Sequence, residues 1–248
     1  MLNLEELDFM VREILFVIVQ VCANIIQAIT GFAGGPLAMP PSIALVGVND
    51  AKAAITLILW IATLIVTVQS IKLINWKKLG IMLFFMFIGM SAGLMLFNYL
   101  PTTILMIAYG LVVMAIGIKK LFFPSDRKMM PPWNYGALVL AGVMQGMFTS
   151  GGPFLVLYAA DAMPDKREFR ATVSTIWTVL NIFMIVNMAH DGMYTTYSLG
   201  LAGASILPVF LAIFVGNRIN KRINQASFLK LVYVLLIASG GLLLLNAF

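Results

Sequence analysis

Thr30-Gly31-Phe32-Ala33-Gly34-Gly35-Pro36 and Gln145-Gly146-Met147-Phe148-Thr149-Ser150-Gly151-Gly152-Pro153 each end in the same Gly-Gly-Pro turn. A long apolar run precedes each turn, residues 14–29 and 135–149, and a short one follows, residues 36–48 and 153–162. Crossing hydrocarbon as a helix takes about 20 apolar residues, so neither short run is comfortable as a span. Each is therefore the second arm of a broken or re-entrant hairpin. Irregular backbone at membrane depth persists only where protein or a water-filled cavity surrounds it.

Composition makes the membrane the setting. The 248 residues are 61% hydrophobic and 10% charged, where soluble domains run at about 45–50% apolar and roughly 25% charged. Sixteen Lys or Arg and ten Asp or Glu cannot cover a water-facing surface of this size. That excludes a soluble enzyme and a disordered chain. The net charge of +6 would suit nucleic acid only if the basic residues formed one patch or stripe, and they are instead divided among several loops. The single cysteine, Cys22, excludes an internal disulfide framework and a Cys-rich metal cluster; it reads as a small buried apolar residue. Glu5, Glu6 and Asp8 stand where a cleavable leader would be basic.

Further apolar runs lie at residues 53–71, 79–97, 103–123, 171–189, 197–215 and 228–245. Short cytoplasmic loops collect Lys and Arg. Placing the 119–132 loop inside and counting crossings puts every basic residue inside except Arg12 and Lys52, with both termini outside. Gly34, Gly35, Pro36, Ala54 and Trp60 match Gly151, Gly152, Pro153, Ala171 and Trp177 at one constant offset. A hairpin plus three crossings makes an odd number of passages, which inverts the second half relative to the first. The predicted fold is an all-α polytopic membrane protein of two inverted-topology repeats. The first, residues 1–123, has hairpin 14–48 and helices 53–71, 79–97 and 103–123. A cytoplasmic linker, 124–132, leads to the second, residues 133–248, with hairpin 135–162 and helices 171–189, 197–215 and 228–245. Interrupted helices in corresponding halves point to a transporter's binding site.

Proline at a first helical position sacrifices no hydrogen bond, and glycines before it let the chain turn tightly. With Pro36 and Pro153 as first helical residues, the amides of Leu37 to Met39 and of Phe154 to Val156 lack helical partners and carry the positive end of the helix dipole. Such an end accepts an anion. Inversion brings both tips to the midplane, with Gly31, Gly34, Gly35, Gly151 and Gly152 shaping the turns. Gln27, Thr30, Gln145, Thr149 and Ser150 add neutral donors. No Asp, Glu, Lys, Arg or His occurs in residues 14–49 or 133–160, whereas a cation or proton path advertises itself with such groups. Lys52 and Arg170 open the two following helices and draw anions into opposite vestibules, with Trp60 and Trp177 as packing or cavity walls. Nothing in the pattern calls for a cofactor or a metal.

Other features have plainer readings. Gly89 to Gly93 and Gly142 to Gly146 fit the spacing of close helix contact. His190 with Asp191 is a solvated loop pair. Asp161, Asp165 and Glu168 balance Lys166, Arg167 and Arg170 in a salt-bridged loop. Ser150 would need a base within about 3 Å to act as a nucleophile, and the only histidine lies at a loop end.

The paired glycine motifs, together with the Lys52-Ala53 and Arg170-Ala171 helix starts, resemble those of the TauE/SafE sulfite exporter family. The resemblance covers nearly the whole chain as two halves. It implies a multi-pass permease of the cell membrane for sulfite, organosulfonates or related small anions, with the bilayer as its other partner. Outward movement is favoured for a monoanion, since an interior-negative potential is worth about 2.3 kcal/mol per charge per 100 mV, roughly forty-fold. Two alternatives stay open: a passive anion or small-solute channel on the same hairpins, and an uptake permease for another small anion. An aquaporin-like pore would show paired Asn-Pro-Ala turns and a filter arginine, and neither is present. The oligomeric state is not legible.

Overall fold

The computed structural model describes residues 4–96, 102–122, 131–149 and 151–245. Ten α-helices and one 3₁₀ turn fill them: α1 (Leu4–Thr30), α2 (Gly34–Val46), α3 (Val48–Gln69), the turn Ile71–Leu73, α4 (Trp76–Leu96), α5 (Thr102–Phe122), α6 (Pro131–Phe148), α7 (Gly152–Ala162), α8 (Lys166–His190), α9 (Thr196–Arg222) and α10 (Gln225–Leu245). Among the described residues there is no strand. Among the described residues, five stretches are long and apolar enough to cross a membrane: Met10–Thr30, Val48–Gln69, Trp76–Leu96, Lys166–His190 and Thr196–Arg222. Most of the expected linker, residues 124–130, lies outside the described residues.

Local sequence explains where the helices start and stop. The Asp165 carboxylate accepts from the amides of Arg167 and Glu168 and caps α8, and Thr195 with Ser198 forms a reciprocal capping box on α9. Gly47, at φ 83°, separates α2 from α3 in a left-handed conformation that glycine adopts without strain.

The helices pack in four principal pairs, beyond the hairpin contacts of α2 on α1 and α7 on α6. Between α4 and α6 the backbones touch directly: Gly89 faces Val139, Gly93 faces Val143, Gly142 faces Met86, and a Cβ on Gly146 would lie 2.5 Å from the Met90 carbonyl. Residue numbers rise together along this seam, so α4 and α6 run parallel. The glycine spacings are thus packing devices, as read from the sequence. α1 and α9 are also parallel, with a Cβ on Gly216 2.7 Å from the Ile25 carbonyl and the Asn220 amide donating to the Ile29 carbonyl at 2.7 Å. The other two pairs are antiparallel. Gly110 and Gly240 meet across α5 and α10. Thr67 bonds Thr178 across α3 and α8 at 3.0 Å, while Asp50 at the start of α3 reaches Thr195 beyond the end of α8 at 2.8 Å.

Several plainer expectations change. Cys22 is exposed, on the outward stripe of α1 with Ile14 and Ile18. The loop acids do not simply balance their neighbours. Glu168 pairs with Lys78 at 3.2 Å and accepts from Asn75 at 2.7 Å, because the turn after α3 folds against the start of α8. Lys166 donates its ammonium to the carbonyls of Asn220 and Ile223. His190 and Asp191 form the expected exposed loop pair at 3.4 Å.

Candidate functional site

The two chain breaks meet in the interior. At the first, the Gly31 amide donates to the Gln27 carbonyl at 2.7 Å, and Gly31 turns the chain at φ 87°. The Gln27 side chain then clamps the loop from both ends, donating to the Gly31 carbonyl at 3.0 Å and accepting from the Gly34 amide at 2.8 Å. The Thr30 hydroxyl donates to the Ile26 carbonyl at 2.8 Å, so it is spent on backbone. At the second break the Thr149 amide donates to the Gln145 carbonyl at 2.9 Å, and Thr149 itself takes φ 52°. Gln145 accepts from the Gly151 amide at 3.2 Å and donates to Asn181 Oδ1 at 3.2 Å. Each glutamine thus holds the turn that follows it.

The short helices begin earlier than the prolines suggested. α2 starts at Gly34 and α7 at Gly152, because glycines followed by proline can occupy the first turn, where no amide needs a helical acceptor. The Leu37 amide consequently makes the first α2 hydrogen bond, to the Ala33 carbonyl at 3.2 Å, and Leu155 does the same to Gly151 at 3.2 Å. Leu37 therefore offers no free amide. The unspent donors shift to Gly35 and Gly152, for which no acceptor occurs among the described residues.

These two glycines form a reciprocal contact. A Cβ on Gly35 would lie 3.0 Å from the Thr149 carbonyl, and one on Gly152 would lie 2.9 Å from the Phe32 carbonyl. Each tip rests on the backbone just before the other. Beside the contact lies a cavity of about 20 Å³, lined by Gln27, Gly35, Pro36, Gln145, Thr149 and Gly152 from the tips and by Thr63, Trp177 and Asn181 from the flanking helices. That is room for about one water-sized sphere. Two of its lining groups, the Thr149 hydroxyl and the Trp177 indole N–H, are buried with no hydrogen-bond partner among the described residues.

Pro153 and Phe154 are buried beside Gly152 in α7. Ser150 lies outside the described residues. Of the residues assigned to vestibules, Trp177 lines the tip cavity, whereas Trp60 does not. Arg170 turns inward, its guanidinium donating to the Ala28 carbonyl and to Asn217 Oδ1. Its backbone is the surface on which Gly31 rests, with a Cβ there 3.2 Å from the Arg170 carbonyl. Arg170 also lines a broad opening at the end of the molecule where α3 ends and α8 begins. Lys52 is at the opposite end, where Asp191 is its electrostatic neighbour. Sequence reasoning missed Thr63 and Asn181. The available signal was a polar side chain inside an apolar run, three or four residues past each tryptophan and so on its helix face.

Apolar helices packed around two interior chain breaks, with polar groups converging between them, define a multi-pass membrane transporter. The sequence pattern of the sulfite exporter TauE/SafE family matches residues 16–243, and the chain belongs to that family. It is also similar to the probable inner membrane transporter protein TsaS of Comamonas testosteroni, 26% identical over 174 residues that cover 69% of this chain and 73% of that protein. No solved structure matches the chain.

Proposed function

We propose that this transporter exports small sulfur oxyanions or sulfonates by alternating access around the two hairpin tips, which belong to inverted repeats spanning residues 1–123 and 133–248. The observation that carries the reading is the reciprocal Gly35–Thr149 and Gly152–Phe32 contact beside a cavity with two unspent donors. The helix pairing supports the inversion. Exchanging α1 with α6 and α4 with α9 turns one parallel pair into the other, while α3 with α8 and α5 with α10 pair across the halves antiparallel.

The proposed ligand set is neutral. The Gly35 and Gly152 amides supply the positive ends of α2 and α7, each equivalent to roughly half a charge. The Thr149 hydroxyl and Trp177 indole add donors. No arginine, lysine or acidic side chain lines the cavity. Charge-assisted bidentate bonds would grip an oxyanion firmly, whereas partial charges release it more readily, as a carrier's turnover requires. A void with room for about one water does not hold a sulfite ion. Loading therefore requires the tips to part, which gives the closed arrangement the role of a barrier between the two faces.

The test is flux in proteoliposomes across sulfite, sulfate, thiosulfate, short sulfonates and carboxylates, with an imposed potential of either sign. The expected result is sulfite or sulfonate movement that follows the sign of the potential and supports counterflow of labelled solute. Flux indifferent to the potential would sink electrogenic anion export. Flux without counterflow would make the protein a channel.

A further inference from the structure

At the end of the molecule opposite Lys52, a cavity of about 710 Å³ opens between the end of α3, the start of α8 and the end of α9. Its size is that of a site for a substantial ligand. Arg167, Arg170, Arg218, Lys221 and Arg222 all line it, and no carboxylate does. The nearby acids are engaged outside the cavity: Asp165 caps α8 and is an electrostatic neighbour of Arg167, and Glu168 is held by Lys78 and Asn75. Arg170 is anchored by Ala28 and Asn217. For the side chains of Arg218, Lys221 and Arg222, no acceptor within hydrogen-bond or ion-pair distance occurs among the described residues.

A bias of cations toward one membrane face accounts for their number but not for their convergence on one cavity free of acids. Arg218, Lys221 and Arg222 stand three and four residues apart on one helix face, where like charges repel. Directly before them on α9, Leu207, Leu211 and Phe214 are 72%, 65% and 66% exposed, and Phe214 itself lines the cavity. An apolar stripe thus runs along the outside of a membrane-crossing helix and ends in a basic pocket.

We propose that this cavity binds the phosphate headgroup of an anionic phospholipid, with the acyl chains lying along Leu207, Leu211 and Phe214. Basic pockets between membrane helices hold such headgroups, and each Lys or Arg near the surface is worth about 1 kcal/mol toward anionic lipid. The stripe is what selects a lipid over a soluble phosphate, since only a lipid fills both parts. The cavity adjoins the first break through Arg170, which supports Gly31, but it shares no lining residue with the cavity between the tips, and the proposal stands whatever solute the transporter moves.

The experiment is native mass spectrometry of the full chain in detergent with phosphatidylglycerol or phosphatidylcholine added, on the parent protein, on Arg218→Gln/Arg222→Gln and on Lys77→Gln/Lys230→Gln. The last pair removes the same charge from exposed positions that do not line the cavity. The parent is expected to retain phosphatidylglycerol preferentially. Arg218→Gln/Arg222→Gln is expected to retain it roughly thirty-fold more weakly, about 2 kcal/mol at 1.4 kcal/mol per tenfold, with the control pair close to the parent. Equal weakening in both variants, or no preference over phosphatidylcholine, overturns the proposal. Displacement of the lipid by glycerol phosphate at equal concentration also overturns it, because the stripe would then contribute nothing.

Discussion

The two chain breaks perform the same turn with different means. The first has seven steps from Gln27 to the amide it caps at Gly34, and the second has six, from Gln145 to Gly151. Both breaks turn left-handed at the fourth residue after the glutamine, and the first has a glycine there, Gly31. The second has Thr149 there, and a β-branched residue at positive φ is strained by about 1–3 kcal/mol. The exchange leaves the second tip with something the first lacks, a buried hydroxyl without a partner among the described residues. Thr30, its nearest equivalent, is bonded to its own helix. The first break reads as the relaxed support and the second as the tip where strain has been kept together with a free donor.

The largest effect expected falls on both tips alike. Gly35→Leu and Gly152→Leu each drive a side chain into the other tip's backbone, and flux is expected to fall at least about a hundred-fold with the protein still inserted, as proteoliposome uptake and membrane fractionation would register. Near-normal flux in either would break the equivalence of the tips. Next come the clamps. Gln27→Ala orphans the buried Gly34 amide and frees the Gly31 carbonyl, so a loss of about 2–3 kcal/mol is expected. Gln145→Ala orphans the Gly151 amide and an Asn181 contact of equal length, and a similar loss of stability is expected, read for both variants as a lowered melting temperature in detergent.

Smaller changes separate the two breaks. Gly31→Ala is expected to destabilise by about 1–2 kcal/mol, since φ 87° suits no L side chain and the new methyl would sit 3.2 Å from the Arg170 carbonyl. Thr149→Gly should instead stabilise by about 1 kcal/mol while lowering flux. If it raised neither stability nor KM, strain and donor would not be coupled at that residue. Smallest is the difference in the helices that follow. α3 has Gly47 before it and no side-chain cap, whereas α8 has Asp165, whose carboxyl is held below its ordinary range first by the Glu168 amide. Its contribution is present above the unfolded carboxylate value and is lost as pH falls through the lower folded one. Asp165→Ala should cost about 0.5–1 kcal/mol at neutral pH and nothing once the carboxyl is protonated, a convergence that melting curves against pH would reveal.

Length and hydropathy sufficed for the order of helices, and the short runs after Gly-Gly-Pro made both breaks legible. The helix start at Gly34 was not, because a first-turn glycine leaves no mark that distinguishes it from a loop glycine until the Leu37 amide finds its acceptor. Thr63 and Asn181 were hidden inside apolar runs whose inward face periodicity alone does not single out. From sequence, Arg170 is a vestibule residue at the mouth of α8. Its turn inward onto Ala28 depends on α1, far away in sequence, being parallel to α9. Glu168 likewise finds Lys78 only once the chain has folded back across α3.

The glycine seam between α4 and α6 carries a mechanical consequence. With carbonyl oxygens against glycine α-carbons, no layer of side chains remains there to deform, so the pair behaves as one strut. α4 comes from the first half of the sequence, and α6 leads into the second break. The first break is fastened in the same crossed manner, since α1 is tied to α9 through Gly216 and Asn220. Separating residues 1–123 from 133–248 as two blocks would mean prising both struts apart. Alternating access as proposed would therefore have to move chimeras, each carrying one tip on a girder borrowed from the opposite half of the chain.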